Sequence, residues 1–248
     1  GYMDIAPEDK CENVRREICL LLEQMGIYPE SSHHEEGPGQ NEIDFRYSDP
    51  LTAADNTLTF QAVVKTVAQR NGLYADFSPK PLRHQPGNGF HINISVKGGN
   101  CEDPLSHMIA GILEHIPELT VFLNPTVASY ERFGGPKAPE YISWSNQNRS
   151  QLIRVPAALD EYRRAELRSP DPTTNPYLAF ALLIYAGLDG IQQKLPLPAP
   201  TDLNLFTASA DILALLQRLP LTLREAATLA ANSSFVSKYL PKTIVQTY

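Results

Sequence analysis

The segment Arg164-Ala165-Glu166-Leu167-Arg168 constrains this chain more than any other. Side chains along a strand alternate faces, so an extended 164–168 projects Arg164, Glu166 and Arg168 from one side. Such a strand belongs to a sheet with one polar wall. A carboxylate between two guanidinium groups suits a site that holds a metal ion and anionic substrates together. Arginine offers a planar fork for carboxylate or phosphate, and glutamate offers oxygen to a hard cation. The competing account is an exposed strand face with an idle charge triplet, and the rest of the chain has to decide between them.

Two more stretches follow the same logic. In Phe90-His91-Ile92-Asn93-Ile94-Ser95 the polar residues His91, Asn93 and Ser95 share one face, and Phe90, Ile92 and Ile94 share the other. In Glu42-Ile43-Asp44-Phe45-Arg46, Glu42, Asp44 and Arg46 oppose Ile43 and Phe45. Each reads as a half-buried strand. Taken singly, each fits a sheet with one wet face; together they describe the polar wall of a cavity. A fourth stretch, His33-His34-Glu35-Glu36-Gly37-Pro38-Gly39-Gln40, leads into Glu42, and its Gly-Pro-Gly turn can fold Glu35 back towards Glu42. Two carboxylates with a single histidine favour Mg²⁺ or Mn²⁺ over structural zinc, which takes a tighter Cys/His cluster.

Bulk properties narrow the class. At 248 residues the chain suits one large domain or two small ones. A net charge of −7 with scattered Lys and Arg argues against a nucleic-acid surface. There is no apolar run of membrane-spanning length and no signal-peptide pattern at residue 1. Cys11, Cys19 and Cys101 lack metal-ligand spacing and cannot all pair internally, which predicts reduced thiols in a cytoplasmic setting. Periodicity predicts helices over 7–25, 51–71 and 105–116, and strands near 28–34, 40–46, 73–78, 90–96, 141–145, 151–155 and 162–168. From Asn175 onward the character is helical, with a helix from Pro176 buried on most sides and short helices in 207–248. Ser233 and Ser234 are the expected turn and cap between them. His107 and His115 are expected to pack or lie at the surface.

The ordered set of short motifs resembles glutamine synthetase of the bacterial type I class. It runs through Gly1-Tyr2-Met3-Asp4, His33-His34-Glu35, Gly39-Gln40-Asn41-Glu42-Ile43, Gly87-Asn88-Gly89-Phe90-His91 and Asn124-Pro125. It continues through Asn148-Arg149-Ser150, Ile153-Arg154, Glu166-Leu167-Arg168-Ser169-Pro170-Asp171-Pro172 and Asn175-Pro176-Tyr177-Leu178. The resemblance implies an α+β fold, a single catalytic domain over 1–248 with a curved, largely antiparallel sheet, helices outside it and a helical C-terminal portion. It implies an ATP-dependent ligation of ammonium to glutamate through γ-glutamyl phosphate, with Mg²⁺ or Mn²⁺. By position, Glu35 and Glu42 look like ligands of the ion beside glutamate, and His91 and Glu166 like ligands of the ion at the ATP phosphates. Arg132 would grip the glutamate carboxylate, with Gly87 near its amino group and Arg168 near its reacting end. Arg149 and Arg154 would neutralise phosphates, and Ser95 and Arg164 lie towards the nucleotide. Phosphoryl transfer depends mainly on such positioning and charge neutralisation.

Departures from the family pattern carry further expectations. Lys137, in Gly134-Gly135-Pro136-Lys137-Ala138-Pro139, stands where the family typically has a glutamate on the ammonium side. This opens an alternative, a ligase joining glutamate to an organic amine. Phe206 replaces the tyrosine that some members adenylylate, and Asn93 a second histidine. The family's β-grasp domain, a Glu-x-Glu strand and a C-terminal helical region have no counterpart here. The resemblance thus predicts a fragment inactive alone, a monomer or small oligomer from a dodecameric parent. A non-catalytic metal- or nucleotide-binding fragment is the remaining alternative.

Overall fold

The computed structural model describes residues 1–98, 101–135, 137–159 and 162–248; Pro136, within the loop singled out above, lies outside them. The chain divides into two compact units, residues 1–77 with 81–87, and residues 78–80 with 88–248. The architecture is α+β.

In the first unit, α1 (Glu12–Gln24) and α2 (Pro50–Arg70) pack with an antiparallel pair, β1 (Pro29–His34) and β2 (Asn41–Phe45). Helix α1 begins later than its periodicity predicts. Asp9 spends its carboxylate on the Cys11 amide at 2.9 Å and on Arg15 at 2.5 Å, which holds 9–11 as a turn. A small apolar core of Ile18, Leu22, Ile27, Val63 and Val67 joins the two helices. The polar counterpart is Arg15, buried on α1, which also donates to Ser32 on β1 at 3.0 Å and to Asn41 on β2 at 2.6 Å. Helix α2 has Asp49 as its N-cap and Pro50 at its first turn, the sequence signature of a helix start. The expected strand at 73–78 does not form: Leu73 and Tyr74 are exposed and the segment has no ladder partner among the described residues.

The second unit holds a four-stranded sheet in the order β3 (Ile92–Ile94), β6 (Ala165–Leu167), β5 (Ile153–Arg154), β4 (Trp144–Ser145). β3 and β5 both run antiparallel to β6, and β4 runs parallel to β5. All four strands are shorter than their alternating patterns suggested. The apolar side of the sheet, with Ile92, Ile153, Ala165 and Leu167, joins a core dominated by α3 (Pro104–Leu123) and α5 (Pro176–Gln193). Helix α3 continues seven residues past its predicted end and through Pro117. Ile116, Leu119, Val121, Phe122 and Leu123 are almost wholly buried, and this burial outweighs the backbone hydrogen bond that proline forfeits.

Helix α5 buries one stripe, Ala179, Leu182, Leu183, Ala186, Gly187 and Gly190, and exposes Tyr177, Tyr185 and Leu188, so it is amphipathic instead of buried on most sides. That stripe crosses α3 at very close range. A Cβ added to Gly111 would lie 2.2 Å from the Ala186 carbonyl, and one on Gly190 2.2 Å from the His107 carbonyl. His107 and His115 serve this packing: His107 Nδ1 meets the Leu195 carbonyl at 2.8 Å, and His115 stacks on Phe235 at 3.8 Å. The remainder is short helices: α4 (Val127–Tyr130), α6 (Ala210–Leu213), α7 (Leu223–Asn232), α8 (Ser234–Tyr239) and α9 (Lys242–Val245). Ser233 caps α8 through the Val236 amide at 2.9 Å. Among the described residues, no helix is long and apolar enough to cross a membrane.

Candidate functional site

The polar face of the four-stranded sheet is built around Glu166. In the ladder, Glu166 sits opposite Asn93 on β3 and opposite Arg154 on β5, so three strands deliver polar groups to one wall. Glu166 is buried; its Oε2 accepts from Arg154 Nη1 at 2.8 Å, and its Oε1 accepts from Arg168 Nη1. His91 Nδ1 lies 3.5 Å from the same Oε1. Arg164 donates to Asn93 Oδ1 at 3.1 Å, and Arg168 Nε donates to the Arg149 carbonyl at 3.1 Å. Burial, then the charges of Arg168, Arg132, Lys137 and Arg149, hold the His91 imidazole well below its usual pKa. His91 is therefore neutral at physiological pH, with a lone pair to offer.

Arg132 closes this wall from the loop after α4. It is buried, and that burial pushes its pKa down to about 10, opposed by Asp171. Gly89 keeps the approach open: a Cβ there would sit 3.0 Å from His91 Nε2 and 3.4 Å from Arg132 Nη2. His91 and Arg132 thus converge beside Gly89, where a Cβ would be a tight fit. The cations gathered around Glu166 and His91 suit this wall to binding anions. A cation bound here would have to share Glu166 with its two arginines.

The hairpin of the first unit gathers the opposite charge. Its register sets His33 directly across from Glu42 and Ser31 across from Asp44. With Glu35 two residues beyond His33 on the same side, ligand atoms of His33, Glu35 and Glu42 all lie within 4.8 Å of one another. The turn that returns the chain is closed by Glu35 N to Gln40 O at 2.8 Å, with Gly39 at φ 68°. Burial, with the neighbouring carboxylates of Asp44 and Glu35, pushes the Glu42 carboxyl up to about 7. Such crowding is what a divalent cation relieves, so an imidazole and two carboxylates here fit Mg²⁺ or Mn²⁺.

The predicted residues therefore fall into two groups. Glu35, Glu42 and Gly87 belong to the first unit, where the Gly87 carbonyl accepts from Gln40 Nε2 at 3.1 Å. His91, Arg132, Arg149, Arg154, Arg164, Glu166 and Arg168 belong to the second, with Ser95 exposed just past the end of β3. Sequence reasoning left open which of His33 and His34 joins the carboxylates, and it gave Gly89 no role of its own. The adjacent His33-His34 pair gives no clue to which ring faces Glu42, and only the hairpin register decides. Gly89 was legible as part of a glycine pair before His91, but its role depends on where Arg132 folds.

Comparison with known proteins follows from this geometry. The family model for the catalytic domain of glutamine synthetase matches residues 1–248. The glutamine synthetase of Clostridium saccharobutylicum is 50% identical over 219 residues, covering 83% of this chain and 49% of that protein. That of Methanosarcina mazei is 46% identical over 263 residues, covering all of this chain and 59% of that protein. Among solved structures, the GmaS/ADP complex in its conformation 1 superposes with a TM-score of 0.87 at 31% identity, over 97% of this chain and 59% of that one. The Plasmodium falciparum glutamine synthetase superposes with a TM-score of 0.86 at 26% identity, over 100% of this chain and 59% of that one. The chain thus spans about half to three-fifths of the length of the relatives it matches. By sequence over its whole length and by fold, this chain belongs to the glutamine synthetase catalytic-domain family.

Proposed function

We propose that the chain supplies the phosphate- and glutamate-handling part of an ATP-dependent glutamate–ammonia ligase. The observation that carries this is the anion-receiving wall around Glu166, in which Arg154, Arg168, Arg149, Arg132 and Lys137 surround a neutral His91. The ADP held by the structural neighbour GmaS supports a nucleotide among those anions. In this reading Arg132 seats the glutamate carboxylate across from Gly89, and Arg168 lies towards its reacting end, with Gly87 near the amino group. Arg149 and Arg154 hold phosphate oxygens as charge moves from ATP to the acyl phosphate, and Ser95 and Arg164 lie on the nucleotide side. Glu35 and Glu42, with His33 beside them, would hold one divalent ion, and His91 and Glu166 a second. Bound there, Mg²⁺ or Mn²⁺ supplies positive charge to carboxylate and phosphate oxygens. The match over residues 1–248 supports treating both units as a single catalytic domain.

The test is phosphate release from ATP by the gene product that carries this sequence, with glutamate, ammonium and Mn²⁺. Release is expected to require both substrates and to vanish in Glu166→Gln. Release that needs neither, or that survives the substitution, overturns the proposal.

A second reading, transfer of glutamate to an organic amine, is favoured by the 134–140 loop. Lys137 brings a cation there at a backbone φ of 61°, and the Glu140 carboxylate accepts from Arg218 at 2.7 Å. Neither arrangement offers ammonium an obvious counter-ion. Turnover with small alkylamines but not with ammonium would establish this reading over the first.

A further inference from the structure

Among the described residues, Arg132 is held without a carboxylate in direct contact. Its Nη1 donates to the Ser169 carbonyl at 3.0 Å, and its Nε has no hydrogen-bond partner among the described residues. The same carbonyl accepts from Asn124 Nδ2 at 2.9 Å, and that nitrogen lies 3.1 Å from Asp171 Oδ2. Asn124 and Asp171 are both 0% exposed, and Ser169 is 1% exposed. Asp171 is fixed in turn: its amide donates to Leu123 O at 3.2 Å, and its Oδ1 accepts from the Thr173 amide at 2.9 Å. A line of polar groups therefore runs through the apolar core from Asp171 through Asn124 and the Ser169 carbonyl to Arg132.

Burying a guanidinium demands negative charge nearby, and a carboxylate in contact is the strongest way to supply it. Such a carboxylate would occupy up to two of the five N–H donors and compete with an anionic ligand for the guanidinium charge. Here the carboxylate stands one residue removed. Asp171 contributes its attraction from behind Asn124, and the guanidinium edge towards Gly89 stays open. Asn124 spends its amide on the carbonyl that seats Nη1, and its own Oδ1 has no hydrogen-bond partner among the described residues. A buried amide left half satisfied is expensive, which argues that its placement serves the arginine more than the core.

We propose that Asn124 and Asp171 are positioning residues for Arg132, holding its guanidinium ready for a carboxylate ligand while leaving its fork vacant. The proposal rests on the reading that Arg132 seats glutamate. The experiment compares wild type, Asp171→Asn and Asn124→Ser by calorimetric binding of L-glutamate and of ADP with Mn²⁺, and by the NMR signal of the Arg132 Nε–H. Asp171→Asn keeps the shape of the side chain and its bond from Thr173, so it decides the matter even where Asn124→Ser fails to fold. L-glutamate affinity is expected to fall on the order of tenfold, the size of one lost bond to a charged group. ADP binding is expected to stay unchanged, and the Arg132 Nε–H signal to move. Equal L-glutamate affinity, or equal loss of both ligands, overturns the proposal. Should wild type bind no L-glutamate, the functional reading fails separately. The Nε–H signal still decides positioning: a shift in Asp171→Asn upholds it, and an unmoved signal ends it.

Discussion

The two units present the same kinds of ligand, imidazole and carboxylate, in opposite electrical surroundings. In the hairpin of the first unit, Glu35, Glu42 and Asp44 crowd one another beside His33, and carboxylates set the local charge. In the sheet of the second, Glu166 is outnumbered by arginines and His91 is kept neutral among cations, so the deficit is of negative charge. The contrast teaches that the residue types at a site say less than its local charge balance. On the proposed reading, one wall takes a metal ion and the other phosphate or carboxylate. The frameworks differ as well. The first unit rests on a modest apolar core plus one buried polar hub at Arg15, and the second on a large apolar core crossed through glycines.

The largest effect is expected at the polar hub. Asp9→Asn leaves Arg15 buried without its counter-ion and should destabilise by roughly 3–5 kcal/mol, read from urea denaturation. A loss below about 1 kcal/mol would dissolve the contrast between the two frameworks. Arg15 holds the Asp9 carboxyl below its ordinary value of 3.8, so the pair contributes fully above that value. The contribution disappears as pH falls through the lower folded pKa, and the urea midpoint should drop below pH 4 in wild type. In Asp9→Asn that part of the acid limb should be absent.

At the glycine crossing, Gly111→Ala should cost about 3 kcal/mol, the upper end for overpacking, because the atoms met are backbone and cannot swing aside. An unchanged melting temperature would mean that the α3–α5 approach is looser than described. For the metal-accepting hairpin, Mn²⁺ at a hundredfold excess over its Kd should stabilise by about 2.7 kcal/mol. Glu42→Gln should abolish that gain and raise the metal-free melting temperature by relieving repulsion. If Glu42→Gln instead retains the Mn²⁺ effect, the charge contrast between the sites loses its first half. The smallest effects belong to the helix starts that both units share in design, Asp49 before Pro50 and Asn175 before Pro176. Asp49→Ala and Asn175→Ala should each cost about 1 kcal/mol by thermal melting, and a much larger loss in one would reveal a role beyond capping.

Much of this was legible in advance because it is local. Alternation in 164–168 and 90–95 placed Glu166, Arg168, His91 and Asn93 on polar faces, since strand geometry allows nothing else. The helix start at Asn175-Pro176 was equally plain, whereas the Asp49 cap before Pro50 emerged only in the fold. Boundaries that depend on distant partners were not plain. Helix α3 passes Pro117 because its last turns are buried, and 73–78 stays irregular because no strand among the described residues pairs with it. Helix α1 starts late because Asp9 answers to Arg15.

The amino-acid sequence by itself determined the α+β class, the family resemblance, and which short segments carry charge on a single face, all consequences of periodicity and motif order. Only the tertiary structure decided which of two adjacent histidines joins Glu35 and Glu42, how closely Gly89 lies to His91 and Arg132, and how Asp171 reaches Arg132 through Asn124. Those facts turn on register and on contacts between residues up to 47 positions apart. Spacing along a chain sets the face a side chain takes, but what lies opposite is settled when the elements pack.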